Sequence, residues 1–292
     1  MPFDETYDFS MERHLLQLDP VLHKRFTSSV FGLQYVLSNY KLLFPDFTDH
    51  SELHSLNVID FSNRLIADQI NRMNADEIYV LLLGAYLHDT GMGITKEDFV
   101  DFSKQIDFGD YFETHSRDDY PRIIRDFHNE FSGMFIRKYH ALLDLPSEEY
   151  MFAVIQTSRG HRKTNLLNET DYPVAYKLSD GNTVCLPYLA ALIRLSDEID
   201  ITAARNSKLL YDMESFTEEN QRFHFGLHHA IRNLIINESE FVVEMHTDNP
   251  TLLEGGKKLC EKMQKTLDSC ILAVNDRTPY RITQKRVFLK LI

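Results

Sequence analysis

The chain has 292 residues, with 44 acidic and 31 basic side chains and a formal net charge of −13. That charge weighs against long nucleic acids, whose binders gain affinity from a basic face and counterion release. A hydrophobic content of 43% supports a substantial core, yet no run approaches the roughly 18 uninterrupted apolar residues of a membrane span.

The N-terminus, MPFDETYDFSMERHLL, is acidic and has no signal-peptide core, so a cytoplasmic protein is expected. Cys185, Cys260 and Cys270 form no paired framework and no CxxC, so neither disulfides nor a thiolate zinc site is expected. Residues 1–47 mix helical periodicity with Phe31, Tyr35, Tyr40, Phe44 and Phe47, which read as packing, and Pro45 breaks the pattern. Asp49, with Glu52 three residues on, then starts a helix DHSELHSLNVIDFSNRLI. On it His54, Val58, Phe61 and Leu65 share the inward face, and His50 lies at the same edge one turn earlier.

Asn74 and Glu77 form a second capping-box start, and Ile78, Leu81, Leu82, Ala85 and Tyr86 recur at helical spacing. The helix carries His88 and Asp89 on its last turn, with Gly91 as its C-cap. Residues 95–119 are acidic and aromatic and read as a solvated cover. Pro121 opens a helix whose Ile124, His128, Phe131 and Phe135 share one face, so a further histidine points inward.

A helix from Ser147 is closed by Gly160, beyond which His161 emerges among Arg159, Arg162 and Lys163. Cations there can complement a helix C-terminus, or they can hold an anion. Residues 164–186 read as a loop or hairpin, and they and residues 95–119, which connect the histidine- and aspartate-bearing helices, are expected to border the site. Pro187 begins the helix PYLAALIRLSDEIDITAAR, on which Asp197 shares a face with Ala190, Ile193 and Ile201, and Asp200 follows. Buried acids are rare unless paired or on a metal, which favours a ligand role for Asp197.

From about residue 212 the pattern becomes α/β, with a hairpin around Asn237-Glu238, a helix LLEGGKKLCEKMQKTLDSCILAV and a strand RVFLKLI. The division expected is residues 1–211 and 212–292. His224, His228, His229 and His246 lie outside the inward series and are assigned no chemistry.

His54, His88, Asp89, His128, His161 and Asp197 together exceed what one tetrahedral ion requires, so a two-metal site fits the count. Imidazoles with carboxylates suit Mn, Fe, Co, Ni or Zn better than Mg. The order H…HD…H…H…D, carried by LHSLNVIDFSNRLI, GAYLHDTGMG, HNEFSGMFI, TSRGHR and LAALIRLSDEIDI, resembles the HD-domain superfamily of metal-dependent phosphohydrolases over roughly residues 48–205.

The resemblance implies a mainly α fold, an HD-domain helical bundle with a small C-terminal α/β appendage, holding one or two divalent ions. In it Asp89 would bridge two ions, His54, His88 and Asp197 completing one shell and His128 and His161 the other. It further implies hydrolysis of a nucleotide or similar small phosphorylated substrate by metal-activated water. Catalytic roles fall to Asp89 and to His50, which could contact substrate, move protons or orient a ligand. Arg159, Arg162 and Lys163 would bind the substrate phosphate.

The HDTGMG form and the trailing α/β piece are most similar to HD domains of bacterial conflict and effector systems. Met92 stands where the deoxynucleotide triphosphohydrolases carry histidine and the cyclic-di-GMP phosphodiesterases lysine, so both substrate classes lose support. The second reading is a non-catalytic module that keeps the fold and docks a protein partner through its acidic surface or C-terminal piece.

Overall fold

The structure, a computed structural model, describes residues 10–45, 49–202 and 219–292. Its first helices are α1 (Ser10–Leu18), α2 (Pro20–Ser38), α3 (Tyr40–Leu43), α4 (Glu52–Ile66) and α5 (Ala75–Leu87). Next come α6 (Lys96–Phe102), α7 (Tyr120–Tyr139) and α8 (Glu148–Arg159). A short antiparallel hairpin, β1 (Tyr176–Lys177) and β2 (Thr183–Val184), precedes α9 (Leu186–Ile199). The C-terminal part comprises α10 (Glu219–Ala230), β3 (Ile231–Ile236), β4 (Glu240–Met245), α11 (Pro250–Val274) and β5 (Arg286–Leu291). The chain is thus mainly helical, with the small strand-bearing C-terminal part that its sequence predicts. Among the described residues no helix is long and apolar enough to cross a membrane.

The bundle is built around α5. Its start is the predicted capping box: the Asn74 side chain accepts from the Glu77 N–H at 2.9 Å, and the Glu77 carboxylate accepts from the Asn74 N–H at 3.2 Å. Apolar residues then occur all round the helix, which requires neighbours on every side. α1, α2, α4, α8 and α9 supply them, and every residue from Asp76 to Leu87 is buried.

Several local expectations are corrected. The N-cap of α4 is Ser51, because the Asp49 carboxylate is taken up by the Tyr40 hydroxyl and by the N–H and hydroxyl of Ser51. On α2 the buried stripe is Leu22, Phe26, Ser29, Leu33 and Leu37. Phe31 and Tyr35 fall on the opposite face and are 78% and 69% exposed, so they are not packing residues, whereas Tyr40 and Phe44 are. Phe47 lies outside the described residues.

Residues 95–119 are more than a solvated cover. Asp98 is buried against the Lys138 ammonium and the Tyr139 hydroxyl, and Phe102 is part of the core. α9 ends at Ile199 instead of running on to Arg205, and Ala203, Ala204 and Arg205 lie outside the described residues. The boundary between residues 211 and 212 lies there too.

In the C-terminal part the sheet order is β3-β4-β5, with β3 and β4 antiparallel and β4 and β5 parallel. A parallel pair needs a long crossover, and α11 provides it. α11 packs on α9, and the Tyr280 ring stacks on Tyr188 with centroids 4.2 Å apart, so this part shares the bundle's core. α10 was not anticipated; it is anchored to the bundle by His228 Nδ1, 2.9 Å from the Ile201 carbonyl.

Candidate metal centre

The six expected ligand residues come from five segments, His88 and Asp89 sharing one, and the structure brings all six together. His54 is fully buried on α4. His88 is the residue after α5, in αR conformation, and Asp89 turns the chain into a short 3-10 segment over Thr90–Gly93. His128 follows a break in α7 at Phe127, whose φ of −123° and ψ of 18° are not helical. His161 lies just past α8, and Asp197 is on the last turn of α9.

The two Asp89 oxygens are divided between two groups. Oδ2 lies 3.5 Å from His54 Nε2 and 3.4 Å from His88 Nε2, while Oδ1 lies 3.4 Å from His128 Nε2 and 3.8 Å from His161 Nε2. Asp197 Oδ1 closes the first group at 3.2 Å from His54 Nε2. Metal–ligand bonds of about 2.1 Å put neighbouring ligand atoms about 3.0 Å apart at right angles and about 3.4 Å apart in a tetrahedron. The observed spacings fall at or near that range.

The protonation pattern tests the fit further. Nδ1 of His88, His128 and His161 each lies 2.7 Å from a backbone carbonyl, of Ala85, Arg125 and Ser158 respectively. A carbonyl only accepts, so each Nδ1 carries the proton and each Nε2 presents a lone pair. His54 Nδ1 is held likewise by the Asp200 carboxylate at 2.7 Å. Yet the Nε2 atoms face each other in pairs, His54 with His88 at 3.2 Å and His128 with His161 at 2.9 Å. Two apposed lone pairs without a proton between them repel unless a cation takes both, and the residues present therefore fit divalent ions.

Burial pushes the His161 imidazole down to about 4, helped by His88 and opposed by Asp197 and Asp89. His128 lies well below the imidazole range, again chiefly through burial. Burial alone would raise Asp89, but the adjacent His88 and His50 imidazoles hold it well below the usual carboxylate range. Asp197 is likewise depressed, burial being outweighed by the neighbouring His54, His161 and His88 imidazoles. Neutral imidazoles beside ionised carboxylates are the forms that bind metal. His50, half-buried, reaches Asp89 Oδ2 with Nδ1 at 2.6 Å and could itself join that oxygen's group.

Three positioning features were not read from the sequence. Asp200, just past α9, orients His54 and is itself met by the Asn57 amide at 3.2 Å. Its only sequence signal is a second acid three residues after Asp197. Ser132 accepts from the Gly91 N–H and donates to the His88 carbonyl, tying the His88-Asp89 turn to α7. Gly91 is not a left-handed C-cap; a Cβ there would lie 2.2 Å from the His128 carbonyl oxygen. Gly160 too has an ordinary αR backbone, and its lack of a side chain admits Ala190. Asp200→Ala is expected to weaken Mn²⁺ affinity about 10- to 100-fold, the usual cost of losing a ligand's orienting partner. Calorimetric titration would check it, and unchanged affinity would remove Asp200 from the site.

The basic residues separate. Arg159 makes a bidentate pair with Glu130, Nε and Nη2 both at 2.9 Å, and so is held away from the expected phosphate role. Lys163, at φ +52°, reaches the Asp126 carbonyl at 3.1 Å and covers the Phe127 ring, securing the break in α7. Arg162 lies beside His128, 3.4 Å from its Nδ1, and has no carboxylate partner among the described residues. The hairpin within 164–186 is at the wrong end for a site border: Thr183 and Cys185 bond to Asn74 and Glu77 at the start of α5. The thirteen residues of α5 put that start roughly 20 Å from His88.

No curated protein and no solved structure matches the chain. A family model described as HD-CE matches residues 44–279, a span that holds all six clustered residues and most of the chain. The chain belongs to the HD-CE family.

Proposed function

We propose that this protein is a metal-dependent phosphohydrolase or phosphodiesterase acting on a nucleotide or similar small phosphorylated molecule. The observation that carries the reading is the division of the Asp89 oxygens between two groups of apposed Nε2 lone pairs. In this reading His54, His88 and Asp197 would hold one ion, His128 and His161 the other, and Asp89 would contribute to both. When bound, such ions lower the pKa of a water, polarise a phosphoryl oxygen and offset the charge that develops during displacement.

The chain's own residues supply the rest. Asp197 keeps 24% of its side chain exposed while His54, His88 and His161 keep none, which sets the entrance on the Asp197 side. His50, 16% exposed beside Asp89, is placed to orient that carboxylate or to pass a proton to substrate. Arg162 holds the phosphate, because its guanidinium is beside His128 with donors to spare. The same placement predicts that Arg162→Ala lowers kcat/KM about 10- to 100-fold, or about 1.4–2.8 kcal/mol, with metal content and Tm nearly unchanged. Wild-type kinetics in that variant would return Arg162 to a structural role.

The test of the whole reading is turnover. Purified protein loaded with Mn²⁺ would be assayed against nucleotides, cyclic dinucleotides and short oligonucleotides. Release of phosphate or a nucleoside monophosphate, abolished by chelation, is expected. A loaded protein that turns over none of them would favour the non-catalytic module.

A further inference from the structure

The C-terminal sheet has an open edge that the proposed site does not use. Among the described residues β5 pairs only with β4. Along the strand, backbone groups alternate in direction. The Ile292 N–H bonds the Met245 carbonyl at 3.0 Å, which sets the even-numbered residues toward β4 and turns Val287, Leu289 and Leu291 outward. The Val287 N–H, turned away from β4, is met by the Gln264 side chain of α11 at 2.8 Å. Leu289 and Leu291 have no such cover among the described residues, leaving a row of donors and acceptors of the kind an added strand takes up.

Side chains on the sheet's outer face indicate what would fit. Arg286, Phe288 and Lys290 are all exposed there, beside Glu240, Val242 and Glu244 of β4. Phe288 is 42% exposed and extends an apolar row begun by Ile235 and Val242. Residues 285–290 carry Lys285, Arg286 and Lys290 and no acid, in a chain whose net charge is −13. A second copy is disfavoured, since the antiparallel register that stacks Phe288 on itself sets Arg286 opposite Lys290, and like charges directly opposite destabilise a pair.

We propose that the open edge of β5 docks an extended strand of another protein, whose outer-face side chains run acidic, apolar, acidic. Main-chain hydrogen bonds to Leu289 and Leu291 would hold it, and Arg286 would select its charge, with Lys290 shared with Glu244 of β4 at 2.8 Å. The proposal does not depend on the catalytic reading.

The probe is a seven-residue peptide with threonine at odd positions and glutamate, valine and glutamate at the even ones, set against a version with lysine for glutamate. Fluorescence anisotropy with the full chain should show the acidic peptide binding at least about tenfold more tightly, a preference that falls as salt rises. Its binding should protect the Leu289 and Leu291 amides from hydrogen exchange. Leu289→Pro, which removes an outward donor and no bond to β4, should abolish binding. Arg286→Glu, on an exposed position that leaves the ladder intact, should reverse the preference between peptides. Equal binding of both peptides, binding of neither, or protection of the same amides by self-association without peptide would overturn the proposal.

Discussion

Asp89→Ala is expected to empty the centre of metal and to lower turnover by roughly three orders of magnitude or more. Asp89 sets one oxygen against each group: without it, His54 and His88 lose the anion at Oδ2 and His128 and His161 the anion at Oδ1. His161→Ala removes a donor from the second group alone and should cost at most one ion per chain. Elemental analysis of the two variants, beside wild type loaded with Mn²⁺, separates these outcomes. The folded state should survive Asp89→Ala, with a loss on the order of 1–3 kcal/mol from the His50 N–H that loses its acceptor. A variant that keeps both ions would show that Asp89 does not join the two groups, and the proposed function would lose its carrying observation.

The second large effect is on folding. Gly91→Ala would place a Cβ 2.2 Å from the His128 carbonyl oxygen and 2.7 Å from the Ser132 backbone nitrogen. Both atoms are backbone within α7, so no side chain can swing aside. The 3-10 segment and α7 would have to separate, breaking the Gly91 N–H bond to Ser132 and the Ser132 bond to the His88 carbonyl. A loss of about 3 kcal/mol or more is expected, at the upper end for overpacking. Metal affinity should fall with it, because the surfaces pushed apart carry Asp89 and His128. Gly32→Ala is the contrast: on α2 with nothing within 4 Å, it should be neutral or stabilising by up to about 1 kcal/mol. Urea melts of both variants decide the matter, and a cost below about 1 kcal/mol for Gly91→Ala would contradict the close approach.

What the sequence determined by itself are the features written in local pattern. The period of apolar residues placed the helices that bear His54, His128 and Asp197 and turned those three inward, and it placed the helix ends at which His88 and His161 stand. Capping chemistry located the start of α5 at Asn74, and alternation located β3, β4 and β5. Local pattern also misled where a residue answers to distant partners: Asp49 has the composition of a cap but serves Tyr40 and Ser51, and Gly91 reads as a helix stop but admits α7.

Only the tertiary structure decided which inward groups meet. Periodicity gives the face of a helix and carries no information on its rotation against a neighbour, so the sharing of Asp89 between two imidazole groups could not be read from spacing. The bond from His54 to Asp200 spans 146 residues, and the pairing of Arg159 with Glu130 spans 29. Those contacts made Asp200 a positioning residue and set Arg159 aside from Arg162. The physical reason is common to both: a charged side chain takes the partner that packing brings within hydrogen-bond reach, and packing is a property of the assembled helices.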